Sequence, residues 1–192
     1  MVLSRAHFLA ALFAAASPGL AESPFGGAIG GPFELVDQRG HARSEADPAG
    51  RPQLLFFGYA SCDGICSHVL PAMGELTEAL AADGLAVTPV LITIAPEHDT
   101  PETLARALPA FHRDFVGLTG DAAALAAARA AYQVEIETLF EDPAGRPVFA
   151  HGSFVYLLDA SGTVLTLMPP VLGIDRMAEI VEGYLQAPAA GG

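Results

Sequence analysis

Basic residues are scarce in this chain. It has nine arginines and no lysine against 22 aspartate and glutamate residues, so its formal net charge is −13 at pH 7. A surface of this sign repels the phosphate backbone of nucleic acids, and the sequence offers no basic patch that would bind it. We therefore exclude nucleic acid as a partner. The same charge favours metal cations and basic partner proteins.

Long hydrophobic runs are also missing, although 52% of the residues are hydrophobic. The longest early run covers residues 8–16, which is shorter than the roughly 20 residues that a membrane-spanning helix needs. It follows Arg5 and precedes small residues that end at Ala21. This pattern predicts a secretory signal peptide over residues 1–21 and a periplasmic protein. The alternative is an uncleaved leader that anchors the protein to the membrane.

The rest of the chain is long enough for one domain with its own core. Residues 22–31 are rich in glycine and proline and predict a flexible linker. Residues 32–186 contain the periodic apolar patterns and form the predicted domain. Residues 187–192 are small and are predicted to form a disordered tail.

Strand and helix patterns alternate along the domain. A short strand is predicted in "PFELVDQRG", and the apolar run "QLLFFGY" predicts a central strand that is buried on both faces. Residues 64–82 then predict an amphipathic helix, because their apolar side chains recur at spacings of three and four. These are Cys66, Val69, Leu70, Met73, Leu76 and Leu80. A second buried strand, "AVTPVLITIA", follows Gly84.

The second half of the domain continues this alternation. Thr100 and Pro101 predict a helix start, with a capping hydroxyl before a proline at the first helical position. "VGLTG" predicts a strand before an alanine-rich helix, which Thr119 or Asp121 caps. Two β-rich runs around residues 159–162 predict a hairpin, and "GIDRMAEIVEGYL" predicts the last helix.

This order of elements predicts an α/β fold, a mixed sheet with flanking helices and a β-hairpin. In such sheets, ligands bind at the carboxyl ends of the parallel strands. The two cysteines of the chain, Cys62 and Cys66, follow the first central strand. We therefore expect them at the functional edge of the sheet.

The spacing of the cysteines leaves three interpretations: a structural disulfide, a thiol-disulfide pair and part of a metal site. At the start of a helix, thiolates are stabilised by the helix dipole, which favours both disulfide exchange and metal binding. A disulfide that closes so short a loop constrains the unfolded chain little, so a structural role is the weakest interpretation. Thioredoxin-like redox enzymes place two residues between their cysteines, whereas three lie between Cys62 and Cys66.

Two thiolates and one imidazole form a ligand set that suits copper, whereas a structural zinc site needs four protein ligands. His151 is the candidate imidazole, because it precedes a strand that could enter the sheet at the edge where the cysteines lie. His68 points away from Cys66 on the predicted helix, and His98 follows a parallel strand and could approach the site. His41 and His112 are interpreted as solvated side chains.

Five segments resemble, in this order, the Sco/SenC family of membrane-associated copper proteins. They are "IGGPFELVDQRG", "LLFFGYASCDGICSHVLPAMGEL", "LITIAPEHDTPETLARAL", "FVGLTG" and "HGSFVYLLDASG". The resemblance covers nearly the whole chain after the leader. It implies a thioredoxin-like fold that binds one copper ion through Cys62, Cys66 and His151.

The resemblance also implies a function. Family members serve the assembly of the copper centre of cytochrome c oxidase, as metallochaperones for Cu(I) or Cu(II) or by maintaining the thiols of that centre. The expected partners are a cytochrome c oxidase subunit as acceptor and a thioredoxin-like reductant or another copper chaperone, and we expect a monomer. The alternative is a thiol-disulfide oxidoreductase in which Cys62 and Cys66 are the catalytic pair.

Several positions depart from the family pattern. Asp63 and Gly64 replace a Pro-Asp pair in the cysteine loop, and Ser67 replaces a second proline. Ala95 and Ala150 stand where aspartates are usual in the family. Such acids form hydrogen bonds that orient the metal ligands, and their loss typically costs about 10- to 100-fold in metal affinity. We therefore expect copper to be held less tightly than in typical members.

Overall fold

This computed structural model describes residues 25–60, 66–141 and 147–186, and for Cys66, Ser67 and Pro147 it gives the backbone alone. Its strands are β1 (Leu35–Asp37), β2 (Ala42–Arg43), β3 (Gln53–Gly58), β4 (Thr88–Thr93), β5 (Val116–Thr119), β6 (Ile136–Glu141), β7 (Pro147–His151), β8 (Val155–Leu158) and β9 (Val164–Met168). Its α-helices are α1 (Cys66–Ala82), α2 (Pro101–Ala107), α3 (Ala122–Ala131) and α4 (Ile174–Gln186).

Seven strands form one mixed sheet in the order β2-β1-β5-β4-β3-β8-β9. The central strands β3, β4 and β5 are parallel, while β1 and β8 run antiparallel to their neighbours on either side. The β8–β9 pair is the predicted hairpin. Strands β6 and β7 form a separate two-stranded sheet. The predicted mixed α/β fold is therefore confirmed.

The core lies around β3 and β4, in which every residue is buried. This agrees with their continuous apolar sequences, which are typical of parallel strands covered on both faces. Helix α1 covers the sheet with the predicted apolar face. Its side chains Val69, Leu70, Met73, Leu76 and Leu80 are all at most 1% exposed.

The starts of two helices follow from local hydrogen bonds. The Thr100 hydroxyl accepts from the Thr103 N–H at 3.3 Å, and Pro101 occupies the first turn of α2, as predicted. Asp121 caps α3, because its carboxylate accepts from the Ala124 N–H at 2.8 Å. Of the two predicted caps for α3, the structure thus selects Asp121.

The β6–β7 hairpin and the two-residue strand β2 are absent from the sequence-based prediction. In β6, every residue after Ile136 is exposed, and a bulge lies between Thr138 and Phe140. A bulge interrupts the alternation of side chains between the two faces of a strand. Leu139 and Phe140 are accordingly both more than half exposed. The sequence therefore shows neither the alternation nor the apolar run by which a strand is recognised.

The interpretation of His112 as a solvated side chain is wrong. The residue is 8% exposed, its Nδ1 accepts from the Asp114 N–H at 3.1 Å, and its Nε2 lies 3.0 Å from a Glu78 carboxylate oxygen of α1. The cause is close packing of this segment on α1. A Cβ atom at Gly74 of α1 would lie 2.2 Å from the Phe111 carbonyl oxygen.

The described part of the predicted linker contacts the domain. The Gly30 N–H donates to the Ala131 carbonyl at 2.8 Å, and the Gln133 side chain donates to the Ala28 carbonyl at 2.7 Å. The predicted signal peptide over residues 1–21 and the tail over residues 187–192 lie outside the described residues. Within the described ranges, no helix has the length and hydrophobicity needed to cross a membrane.

Candidate copper and thiol site

Two of the three predicted site residues lie in described elements. Cys66 is the first described residue of α1, and His151 is the last residue of β7. Cys62 lies in the segment of residues 61–65, outside the described residues. The β3 strand that leads to this segment ends at Gly58, and Tyr59 and Ala60 follow it. The roles of Cys62, Cys66 and His151 as ligands remain predictions. The position of His151 itself follows from its contacts with described residues.

His151 packs against the strand that leads to the cysteines. Its ring centroid lies 5.9 Å from that of the buried Phe56, near the end of β3. Phe149 precedes His151 by two residues, and its ring lies 5.9 Å from that of Tyr59 in an edge-on arrangement. Alternate residues of a strand share one face, so β7 presents both rings to the end of β3. The hairpin that the sequence did not reveal therefore positions the candidate imidazole.

The hydrogen bond of His151 determines which ring nitrogen carries the proton. Its Nδ1 lies 2.9 Å from the Gly152 carbonyl oxygen. A carbonyl oxygen only accepts, so Nδ1 donates and, in the neutral ring, the lone pair is on Nε2. Metal-binding histidines are commonly oriented in this way by a carbonyl or a carboxylate. In this chain, the group that orients the His151 ring is the backbone carbonyl of Gly152.

The other histidines have distinct surroundings. His68 is exposed on α1, and the His41 side chain is 71% exposed, beside Asp37. His98 is half-buried, and its Nε2 is buried without a hydrogen-bond partner among the described residues. It lines a cavity of about 410 Å³ with Ala60 and Thr103. His98 therefore lies near the start of the cysteine loop, and His41 does not share this cavity.

Sequence reasoning missed a role for Asp99. This residue is 2% exposed, and its carboxylate accepts from the Ala60 N–H at 3.0 Å and from the Thr93 hydroxyl at 2.8 Å. Burial raises the pKa of this carboxyl above its usual value of 3.8, although both hydrogen bonds act in the opposite direction. The sequence signal is its place in the segment "LITIAPEHDTPETLARAL", which resembles the Sco/SenC family, but that segment does not reveal the contact with Ala60.

Among the described residues, no three histidine, cysteine, aspartate or glutamate side chains lie close enough together to hold a metal ion. Neither Cys62 nor the side chain of Cys66 belongs to that set. The ligand set of Cys62, Cys66 and His151 therefore stays a prediction from the sequence.

Comparison with known proteins agrees with the resemblance seen in the sequence. The sequence model of the SCO1/SenC family matches residues 21–186. A SCO2-like protein of Rickettsia felis is 37% identical over 140 residues, which cover 71% of this chain and 67% of the relative. The range matched by the family model includes the cysteine loop and β7.

Solved structures of the family have the same fold. ScoI of Arabidopsis thaliana with copper bound has a TM-score of 0.77 at 25% identity, covering 83% of this chain and all of that one. ScoI of Bradyrhizobium japonicum with copper bound has a TM-score of 0.71 at 31% identity, covering 82% and 99%. The match confirms the predicted thioredoxin-like architecture.

Proposed function

Because the chain belongs to the SCO1/SenC family, we propose that it binds one copper ion through Cys62, Cys66 and His151 and passes it to an acceptor protein. The copper bound in the ScoI structures of Arabidopsis thaliana and Bradyrhizobium japonicum supports this proposal. The observation that carries it for this chain is the contact of the His151 ring with Phe56. That contact puts the only distant ligand of the proposed set beside the strand that leads to the cysteines.

The chemistry of the three donors suits copper. Thiolates are soft ligands that hold Cu(I), and an imidazole nitrogen completes a site that also accepts Cu(II). The hydrogen bond from Nδ1 to the Gly152 carbonyl favours Nε2 as the ligating nitrogen. Copper would pass to an acceptor as its ligands are exchanged one at a time, which requires both thiols to be reduced.

The proposed client is the copper centre of cytochrome c oxidase, to which the chaperone delivers copper or whose thiols it maintains. Membership of the family supports this client. We propose a periplasmic location on the basis of the leader sequence, whose short apolar run predicts export. A cytochrome c oxidase subunit is the proposed acceptor, and a thioredoxin-like protein or another copper chaperone is the proposed upstream partner.

A thiol-disulfide oxidoreductase is the second candidate. Ala95 and Ala150 favour it, because the acids that support copper elsewhere in the family are missing at these positions. In this reaction, the Cys62 and Cys66 thiols give two electrons and two protons to a substrate disulfide. The products are a Cys62–Cys66 disulfide and two substrate thiols, and the oxidised protein cannot bind copper.

Anaerobic copper titration of the reduced protein tests the first proposal. We expect the wild type to bind one equivalent of copper and, with Cu(II), to develop thiolate charge-transfer absorption. The Cys62→Ser/Cys66→Ser variant should lose both properties. His41→Ala is the control for His151→Ala, because the exposed His41 side chain lies beside Asp37 on the turn between β1 and β2. The His41→Ala variant should bind copper like the wild type.

The same preparations distinguish the two candidates. Rapid insulin reduction by the copper-free protein, combined with no stoichiometric copper binding, would favour the oxidoreductase. Copper binding with negligible insulin reduction would favour the chaperone. A permanent disulfide that withstands mild reductants would contradict both.

A further inference from the structure

Asp99 joins the ends of two neighbouring parallel strands. Its Oδ2 accepts both from the Ala60 N–H, just beyond β3, and from the hydroxyl of Thr93, the last residue of β4. The Thr93 oxygen in turn accepts from the Ala95 N–H at 3.0 Å, so the hydroxyl bridges the carboxylate and the turn that follows β4. The carboxylate is thus held between two backbone segments at the candidate-site end of the sheet.

Ala60 is the last described residue before the segment that contains Cys62, which follows it by two positions in the chain. A hydrogen bond to its N–H therefore fixes the backbone from which the cysteine loop departs. We propose that Asp99 is a positioning residue for this loop and that Thr93 orients its carboxylate. The proposal deepens the proposed copper-binding function and rests on it for the copper measurements.

The location of the carboxylate argues against a purely structural role. Burying a carboxylate is costly, and a backbone N–H at the end of a strand could instead be satisfied by water or by a neighbouring carbonyl. A second buried pair, Asp47 with Thr88, lies at the opposite end of β4 and provides a matched control. It consists of the same two residue types, with Arg51 3.7 Å from the Asp47 carboxylate, and Asp47 supports the loop before β3 rather than the loop after it.

The experiment compares Asp99→Ala, Asp99→Asn and Thr93→Val with Asp47→Ala and Thr88→Val. Copper affinity is measured by competition titration, and the reduction potential of the cysteine pair is measured without metal. We expect Asp99→Ala to lower copper affinity by about 10- to 100-fold, the usual effect of losing a group that supports a ligand. Asp99→Asn retains an oxygen acceptor for Ala60 and should restore both the affinity and the potential. Thr93→Val should have a smaller effect in the same direction.

The two control variants should lose thermal stability but keep the wild-type affinity and potential. The ¹⁵N amide shift of Ala60 reports the hydrogen bond directly and should change in Asp99→Ala and not in Asp47→Ala. Wild-type affinity and potential in both Asp99→Ala and Thr93→Val would overturn the proposal. The proposal would also be overturned by equal losses of copper affinity in Asp99→Ala and Asp47→Ala. It would likewise be overturned if Asp99→Asn did not recover the affinity and the reduction potential.

If Asp99→Ala does not fold, the milder Thr93→Val and Thr88→Val pair gives the same comparison. A wild-type protein that binds no copper would contradict the proposed function, whereas the metal-free reduction potentials would still test the role of Asp99. The two failures are therefore distinguishable.

Discussion

The two ends of β4 carry the same pair of residues in different surroundings. At its start, the Thr88 hydroxyl donates to Asp47, and Arg51 lies 3.7 Å from that carboxylate. At its end, the Thr93 hydroxyl donates to Asp99, where the described hydrogen bonds include no arginine. The first carboxylate thus has a guanidinium beside it, while the second is held by a hydroxyl and a backbone N–H.

Because of this difference, we expect Asp47 at the start of β4 to serve stability and Asp99 at its end to serve function. The Arg51 guanidinium offsets part of the Asp47 charge, and Asp47 also accepts from the Ala49 N–H in its own turn. Asp99 reaches across to the residue after β3 and remains a poorly compensated charge, as its raised pKa indicates. Poorly compensated buried charges are more common at functional sites than elsewhere. The end of β4 is therefore where we expect substitutions to alter copper chemistry.

The largest effect at this end is expected for His151→Ala. Removing a ligand costs more than removing a group that supports one, so copper affinity should fall by more than about 100-fold. The Cys62–Cys66 disulfide should still form, since the thiols are unchanged. Competition titration and thiol counting measure the two properties, and full copper retention would disprove the ligand role of His151.

At the start of β4, Asp47→Ala should lower the free energy of unfolding by about 1–3 kcal/mol, because it leaves the buried Thr88 hydroxyl without its acceptor. Urea denaturation of the reduced protein measures this loss. Copper affinity should stay at the wild-type value. A stable Asp47→Ala protein with weak copper binding would show that the two ends of β4 are not functionally distinct.

The smallest effect is expected from the charge of Asp99. Burial raises its pKa in the folded protein, so the folded state favours the protonated form, and stability falls as pH rises from 3.8 through the raised value. Asp99→Asn removes this cost and should be more stable than the wild type near neutral pH. The difference should vanish at and below the ordinary pKa. Urea denaturation between the ordinary pKa and neutral pH measures the difference in stability. An Asp99→Asn protein that is less stable than the wild type at neutral pH would contradict the raised pKa of Asp99.

The elements with strong local signals could be predicted from the sequence. The apolar positions of α1 from Val69 to Leu80 are all buried, and the Thr100 cap begins α2 as expected. The β6–β7 hairpin was missed because a bulge places Leu139 and Phe140 on the surface together. The prediction for His112 was wrong because its burial depends on close packing at Gly74 of α1, and local sequence does not reveal such a contact.

In the candidate site, the sequence likewise predicted the ligand residues but not the tertiary contacts that position them. The spacing of Cys62 and Cys66, their position after an apolar strand and the resemblance to Sco proteins named three ligands without any structure. Only the fold showed that β7 brings His151 to Phe56 and that Asp99 holds Ala60. Neither contact has a sequence signature, because each joins residues that are distant along the chain.

The sequence by itself determined the periodicity of the elements, the cysteine spacing and the acidic charge, because these depend on near neighbours and composition. The tertiary structure alone decided which of the two Asp–Thr pairs contacts Ala60, the last described residue before the cysteines. The reason is that parallel strands gather their carboxyl ends at one edge, where residues far apart in sequence meet and where burial changes the energy of a charge.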